Sequence, residues 1–141
     1  MSAGAAWRRG RAHSIYDATE HPLRGPHEVP YGYSRAVPVG NQAHVAGTCA
    51  PPLNVEDVDA YSQAIDAFQT IANALSEAGA SMVDVVRTRL YVVNISDSDD
   101  VMRAHGEQFG AIWPTATLVQ VGVLIDPNLL VEIEAYAIID E

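Results

Sequence analysis

Two carboxylates near the C-terminus are the residues best placed to transfer protons. Glu132 and Glu134 alternate with apolar residues between Val131 and Ala135, and alternation with a period of two places both side chains on one face of a β-strand. A carboxyl group shielded from water keeps its proton to a higher pH and can act as a general acid near neutrality. The same pattern also fits a solvated pair or a salt bridge at an interface, so the sequence leaves both interpretations open.

The basic side chains narrow the possible chemistry, because all eight are arginines and the chain has no lysine. Without lysine, no side-chain amine can form a Schiff base and no P-loop lysine can bind a nucleotide phosphate. Arg87 and Arg89 alternate with Thr88 and Leu90, so they share one face of a predicted strand. They either pair with acids of neighbouring chains or bind an anionic group of a ligand.

Cysteine and histidine give no sign of a metal site. Cys49 is the single cysteine, which excludes an intrachain disulfide and a multi-cysteine zinc site. It is either a small buried thiol or a residue that contacts a ligand. His105 falls on the apolar face of a predicted helix, where we expect a hydrogen-bonded core histidine. The other four histidines show no metal-ligand spacing, so no metal is expected.

Composition restricts the partners of the chain. Its 141 residues, 48% hydrophobic and 18% charged, are typical of a single globular domain. The net charge of -10 would repel the phosphates of a nucleic acid. No run of roughly 18 apolar residues could span a membrane, and no apolar segment of a secretory signal follows Arg8, Arg9 and Arg11. We therefore expect a cytoplasmic protein that binds neither nucleic acid nor membranes.

The chain divides into an irregular beginning and a regular remainder. Residues 1–30 mix Gly, Pro, His and Arg without a clean period, and we interpret them as an arm that is partly flexible. A more specific alternative is that the segment Ile15–Val29 folds over a ligand cleft of its own or a neighbouring subunit. Residues 31–141 form the predicted domain.

The periodicity of the domain predicts an α+β fold, with one mixed sheet covered on one face by two helices. Apolar residues at three- and four-residue spacing from Tyr61 to Leu75 predict the first helix, and Gly79 suits its C-terminal cap. The order is ββαβαββ. The remaining predicted elements are the hairpin strands Ala36–Val39 and Ala43–Ala46, the strand Val85–Val93, a helix from Ser96 or Asp97 to about Gly110, and the strands Thr117–Leu124 and Leu130–Ile139.

The face of the sheet away from the helices needs a partner. The strand containing Val119, Val121 and Val123 also has Leu118 and Leu124 at the alternate positions, so both of its faces are apolar. A monomer would expose an apolar patch that soluble monomers seldom tolerate. Self-association is the simplest prediction.

Six short motifs follow one another in a fixed order between about Tyr33 and Ala137. The motifs are Tyr33-Ser34-Arg35-Ala36-Val37, Val45-Ala46-Gly47-Thr48, Ala78-Gly79-Ala80, Asp84-Val85-Val86-Arg87-Thr88, Pro114-Thr115 and Val131-Glu132-Ile133-Glu134-Ala135. Together they resemble the RidA/YjgF family, also called L-PSP. The resemblance implies a chorismate-mutase-like fold and a homotrimer with a central barrel and ligand clefts between subunits. It also implies hydrolysis of reactive enamines and imines, such as 2-aminoacrylate, to a 2-keto acid and ammonia without a metal or organic cofactor.

The chain departs from the family pattern at the residues that bind the substrate carboxylate. Ala116 stands where the family has its carboxylate-binding arginine, Leu118 replaces a frequent cysteine, and Arg103 falls near the position of a family asparagine. Glu132 matches the family's acid, so it is the predicted catalytic residue. Arg89, Arg103 or Arg35 could replace the missing arginine from another direction. The predicted substrate-binding residues are Tyr33, Gly47, Thr48, Cys49, Ala116, Arg89 and Arg103.

Three functions remain open at this point. The first is a divergent RidA-like enzyme that hydrolyses or deaminates an imine, an enamine or a related unsaturated intermediate, for instance in a biosynthetic pathway. The second is a non-catalytic, ligand-binding or chaperone-like trimer of the same fold. The third is the endoribonuclease activity that an old name of the family suggests, which the net charge of -10 and the absence of lysine disfavour.

Overall fold

A computed structural model of the chain describes residues 28–51 and 55–140. Most of the predicted arm, including nearly all of Ile15–Val29, lies outside these residues. The first described element is a four-residue helix, Glu28–Tyr31, which begins inside the range predicted as arm. Glu28 is buried there, so the packed part of the chain starts at least three residues before position 31.

One five-stranded sheet organises the domain. The elements are α1 (Glu28–Tyr31), β1 (Ala36–Val39), β2 (Gln42–Thr48), α2 (Ala60–Glu77), β3 (Val85–Val92), α3 (Ser98–Phe109), β4 (Thr115–Gln120) and β5 (Val131–Ile138), with 3-10 turns at Met82–Asp84 and Ile95–Asp97. The strands of the sheet lie in the order β1-β2-β5-β3-β4, with every neighbouring pair antiparallel except β3 and β4, which are parallel. This confirms the predicted mixed sheet and the order ββαβαββ, with the short N-terminal helix added.

The predicted strand Thr117–Leu124 is wrong at both ends. The observed strand β4 begins at Thr115 and ends at Gln120. It lies at the edge of the sheet and pairs with β3, which itself ends at Val92. The N–H of Val121 makes one more bond, to the carbonyl of Val92, and the chain then leaves the sheet. A strand cannot continue without a neighbouring strand to bond its backbone N–H and C=O groups, however apolar its residues are.

Helix α2 is capped at both ends, and its C-terminal cap is the one that the sequence predicts. The carboxylate of Asp59 accepts a hydrogen bond from the N–H of Ser62 at 2.7 Å, which caps the first turn. At the other end Gly79 adopts a positive φ of 83°, and the N–H of Ala80 reaches the carbonyl of Leu75. The left-handed Gly79 and the bond from Ala80 to Leu75 belong to a Schellman motif, in which glycine is favoured at the left-handed position.

The buried face of α2 is shifted from the predicted stripe. Phe68 and Leu75 are buried as expected, but Tyr61 and Ile65 are only partly covered. Small side chains occupy the centre of the buried face instead, which lets the helix approach the sheet closely. The alanines of that face are Ala60, Ala64, Ala67 and Ala74.

His105 of α3 is a core residue, as predicted. Its Nε2 lies 2.8 Å from the hydroxyl of Thr88 on β3. Its ring packs between Phe68 and Phe109. Burial lowers the pKa of His105, because the charged imidazolium would lose its hydration. The residue therefore joins helix and sheet as a neutral hydrogen-bonding group.

Within residues 28–51 and 55–140, the two long helices cover one face of the sheet and leave the other face open. Along β5, Ile133 and Ala135 are buried, whereas the alternating Glu132 and Glu134 are partly exposed on the opposite face. The predicted shared face of the two carboxylates is thus confirmed. Beyond β4, Val123 and Ile125 are 81% and 83% exposed.

A buried glutamine on α2 was not singled out from the sequence. The side-chain amide of Gln63 donates to the carbonyls of Val58 and Asn128, each at 3.0 Å. Its oxygen accepts the N–H of Leu130 at 2.9 Å. One fully buried side chain therefore satisfies three backbone groups and fixes the loop that leads into β5.

Replacing Gln63 by leucine is expected to lower the free energy of unfolding by about 2–4 kcal/mol, because buried backbone groups lose their partners. The exposed Gln69→Leu on the same helix is the matched control and is expected to change stability by less than about 0.5 kcal/mol. Urea unfolding followed by circular dichroism, at equal protein concentrations, measures both. Equal midpoints for the two variants would contradict this role of Gln63.

Candidate functional site

Glu132 lies in a shallow depression on the open face of the sheet. The depression has a volume of about 300 Å³. Carboxylates form one side of it, and the apolar segment that follows β4 forms the other. Its lining residues are Gly47, Tyr91, Val121, Val123, Leu124, Glu132 and Glu134. A polar group facing an apolar wall is a common arrangement in ligand sites.

The missing side chain of Gly47 makes room for the Glu132 carboxylate. The pairing of β2 with β5 shifts register between Val45 and Thr48, which marks a β-bulge, a frequent feature next to active sites. A Cβ atom at Gly47 would lie 2.6 Å from Oε1 of Glu132, closer than side chains can approach. The predicted site residues Gly47 and Glu132 are therefore in direct contact, and glycine is required for the position that the carboxylate occupies.

The surroundings of Glu132 favour its protonated form. Partial burial raises the pKa of Glu132, the negative charge of Glu134 raises it further, and the positive charge of Arg35 opposes both. Glu134 itself accepts a hydrogen bond from the hydroxyl of Tyr91. Glu132 thus keeps its proton to a higher pH than an ordinary glutamate does.

Cys49 lies immediately after β2, beside the same carboxylate. Burial and the negative charge of Glu132 raise the pKa of its thiol to about 12, although Arg35 acts in the opposite direction. The nucleophile of cysteine chemistry is the thiolate, which this environment disfavours. Cys49 is accordingly a half-buried neutral thiol bordering the site.

Thr48 and Tyr33 both contact Arg35, which connects them to the site. The buried hydroxyl of Thr48 donates to the carbonyl of Ala46 at 2.7 Å and accepts from Nη1 of Arg35 at 3.3 Å. The guanidinium carbon of Arg35 lies 5.5 Å from the centre of the Tyr33 ring, within the range of a cation–π contact. Tyr33, Gly47, Thr48, Cys49 and Glu132 therefore form one neighbourhood.

Arg35 was named from the sequence as one of three candidates to replace the missing arginine. Of the three, it is the one whose charge acts on both Glu132 and Cys49. The signal available in the sequence was its place two residues after Tyr33 in the first motif. Tyr91, which binds Glu134, was not singled out as a site residue, and only the register of β3 against β5 reveals it.

Arg89 lies on the same open face but lines a different depression. That depression has a volume of about 350 Å³ and includes Arg87, which confirms that the two arginines share a face. Arg89 pairs directly across the strands with Glu134. The other lining residues are His44, Val45, Ala135 and Tyr136.

Ala116 and Arg103 lie away from Glu132 within one protomer. Ala116 is in register with Thr88, whose side chain points under the helices, so it faces the opposite side of the sheet. Strand spacing puts its Cα about 14 Å from that of Glu132. Arg103 lies on the outside of α3, 3.6 Å from Asp100 and 3.8 Å above the ring of Tyr61. A single protomer therefore does not bring these two residues to the Glu132 neighbourhood.

Within residues 28–51 and 55–140, no group of three His, Cys, Asp or Glu side chains is arranged to hold a metal ion. Nor does any helix in this part of the chain have the length and apolar character needed to cross a bilayer. The Glu132 neighbourhood offers carboxyl, hydroxyl, guanidinium and thiol groups.

Comparison with known proteins agrees with the motifs. A family model described as Endoribonuclease L-PSP matches residues 27–139. An uncharacterized protein of Streptomyces coelicolor is 39% identical over 115 residues, 79% of this chain and 86% of that protein. The 3-aminoacrylate deaminase RutC of Acinetobacter baylyi is 31% identical over 108 residues, 74% of this chain and 85% of that enzyme.

A solved structure extends the agreement to the fold. Rv2704 of Mycobacterium tuberculosis, a member of the YjgF/YER057c/UK114 family, is 44% identical and superimposes with a TM-score of 0.76 over 82% of this chain and 93% of that one. The mixed sheet under two helices is thus the chorismate-mutase-like fold that the motifs implied. The chain belongs to the L-PSP family, which is also called RidA/YjgF.

Proposed function

We propose that this protein is a divergent imine or enamine hydrolase in which Glu132 transfers the proton. One observation supports this above all: Glu132 lies in a depression beside a glycine that makes room for its carboxylate. The surroundings also raise its pKa, as a general acid requires. The family includes deaminases of this kind, among them the RutC relative.

Hydrolysis of an imine needs a group that transfers protons and a water molecule, and Glu132 is the group that transfers protons. Water adds to the carbon of the C=N bond while the carboxyl group of Glu132 donates a proton to the nitrogen, and the second proton of the water passes to the same nitrogen, which gives a carbinolamine with a protonated amino group. The C–N bond then breaks, ammonia leaves with the bonding electron pair as the C=O bond forms, and the Glu132 carboxylate takes up the hydroxyl proton. An enamine first accepts a proton on carbon and enters as the imine. Glu132 returns to its starting state in each cycle.

The substrate we propose has no free carboxylate next to its C=N bond. Ala116 provides no cation at the position where the family binds such a group. The neighbourhood of Glu132 also contains the negative charge of Glu134, which would repel a carboxylate. A neutral or cationic imine, such as one within a larger biosynthetic intermediate, fits this charge distribution better.

A second copy of the chain is part of the proposal. The open face contains the Glu132 depression, which the exposed Val123 lines, and Val119 and Ile125 are further exposed apolar side chains of β4 and of the segment that follows it. Because Ala116 faces away from Glu132 in one protomer, the complete cleft would need residues of a neighbouring subunit. We infer a homotrimer with three such clefts.

Native mass spectrometry of the full chain at micromolar concentration is expected to show mainly three times the 15.1 kDa protomer mass. Replacing Val123 and Ile125 with aspartate together is expected to shift the protein to lower oligomers, since two exposed apolar contacts would become charged. A wild-type spectrum dominated by the protomer would contradict the trimer.

A coupled assay tests the hydrolase directly. 2-Aminoacrylate is generated enzymatically, and the release of its keto acid is followed with and without this protein. We expect weak acceleration by the wild type. Ala116→Arg should increase it by roughly 10- to 100-fold, because a charge-assisted bidentate contact is worth about 1.5–3 kcal/mol. Adding Glu132→Gln to that variant should abolish the gain.

Ala116→Gln is the matched control, since it adds a long polar side chain without a charge, and we expect little change. If neither the wild type nor Ala116→Arg accelerates keto-acid release, and the wild type does not hydrolyse the imine of methyl pyruvate faster than the uncatalysed reaction, the hydrolase proposal fails. The second candidate, a non-catalytic ligand-binding or chaperone-like trimer, would then stand. The absence of an anchoring cation at Ala116 is the observation that keeps this candidate open.

A further inference from the structure

Arg35 joins the first described helix to the bulge of β2. Its Nη2 donates to the carbonyl oxygen of Gly47 at 3.1 Å, and its Nη1 donates to the hydroxyl of Thr48 at 3.3 Å. The planar guanidinium thus binds two consecutive residues at the point where β2 shifts register against β5. An arginine fork can make both bonds at once, whereas a lysine ammonium offers no such fixed geometry.

Glu28 holds Arg35 from the other side. The Glu28 side chain is 4% exposed, and its Oε1 lies 3.2 Å from Nε of Arg35. The N–H at Nε is not directed at that oxygen, so the contact is an ion pair without a hydrogen bond. The carbonyl of Glu28 also accepts the N–H groups of Gly32 and Tyr33. The turn between α1 and β1 is therefore closed around a buried charge pair, which orients the guanidinium towards β2.

The position of Gly47 decides where Glu132 can lie. The space that a Gly47 side chain would fill is occupied by Oε1 of Glu132. Any movement of the bulge by a few tenths of an ångström changes this space, and Arg35 is bonded to the carbonyl of Gly47 itself. The chain of contacts runs from Glu28 to Arg35, to the bulge, and from the bulge to Glu132.

From these contacts we infer that Arg35, anchored by Glu28, is a positioning residue that holds the Gly47 bulge and thereby the carboxylate of Glu132. Arg35 acts on the reacting group through Gly47 and through its charge. Its importance for turnover rests on the proposed hydrolase function. The effect of Arg35 on Glu132 does not depend on that function, and it can be measured without a substrate.

The charges around Glu132 make the effect of Arg35 measurable as a change in the pKa of Glu132. Two residues flank the Glu132 carboxylate, namely Glu134 on β5 and Cys49 immediately after β2. Tyr91 on β3 donates a hydrogen bond to Glu134. Burial and Glu134 raise the pKa of Glu132, and Arg35 is the cation that lowers it. Removing the Arg35 charge should therefore raise the pKa of Glu132 further, so the carboxyl group keeps its proton to a higher pH.

The experiment is a ¹³C NMR titration of the glutamate side-chain carboxyls in the full-length protein, with the Glu132 signal assigned by its loss in Glu132→Gln. Arg35→Gln is expected to raise the pKa of Glu132, because the neighbouring positive charge that lowers it is removed. Arg87→Gln removes the same charge from an exposed residue of the same sheet face. It is the matched control and should leave the titration unchanged.

A charge swap separates positioning from simple stabilisation. Glu28→Arg combined with Arg35→Glu can restore the buried ion pair, so the denaturation midpoint should recover relative to Arg35→Gln. Glutamate at position 35 has no donor for the Gly47 carbonyl and adds a negative charge, so the pKa of Glu132 should stay above the wild-type value. If the swap restores both the midpoint and the Glu132 titration, Arg35 is merely structural and the inference is overturned.

If Arg35→Gln does not fold, Arg35→Lys provides the test, because it keeps the charge but cannot reproduce the fork. A Glu132 signal and titration identical to wild type in that variant would overturn the inference. In the Ala116→Arg protein, adding Arg35→Lys should lower kcat more than it changes KM. If no protein in the series turns over an imine, the hydrolase proposal fails while the titration still decides the role of Arg35.

Discussion

The close approach of the Glu132 carboxylate to Gly47 is the constraint on which the site depends. A side chain at position 47 would collide with the carboxylate at 2.6 Å, so the carboxylate can occupy its present position only beside a glycine. The bulge arises where β2 shifts register against β5. Partial burial in this place keeps Glu132 protonated to a higher pH than an ordinary carboxyl. The geometry of two strands thus determines the acid–base property of one side chain.

The division of the sheet into two faces could be predicted from alternation alone. Glu132 and Glu134 fall on the open face, and His105 falls in the core beside Thr88, because periods of two and of 3.6 residues fix which side chains share a surface. Gly79 was predicted as a helix cap for the same local reason: its positive φ is a property of a few consecutive residues. These features depend on short stretches of sequence.

Features that depend on distant parts of the chain were not predictable in this way. Gln63 bonds to Asn128 and Leu130, 65 and 67 residues away, and no spacing rule connects them. The end of β4 at Gln120 is set by where its neighbour β3 ends, although the apolar residues of the sequence continue. The link from Glu28 through Arg35 to Gly47 likewise exists only once α1, β1 and β2 are folded together.

The central claim is that this cleft has the acid of its family without the group that binds a substrate carboxylate. The most direct measurement compares two imines of one carbon skeleton, the imine of pyruvate and the imine of methyl pyruvate. The rate acceleration of hydrolysis over the uncatalysed reaction is determined for each. We predict greater acceleration for the ester imine, because it has no negative charge for Glu134 to repel and needs no cation at position 116. A clear preference for the carboxylate imine would contradict the account.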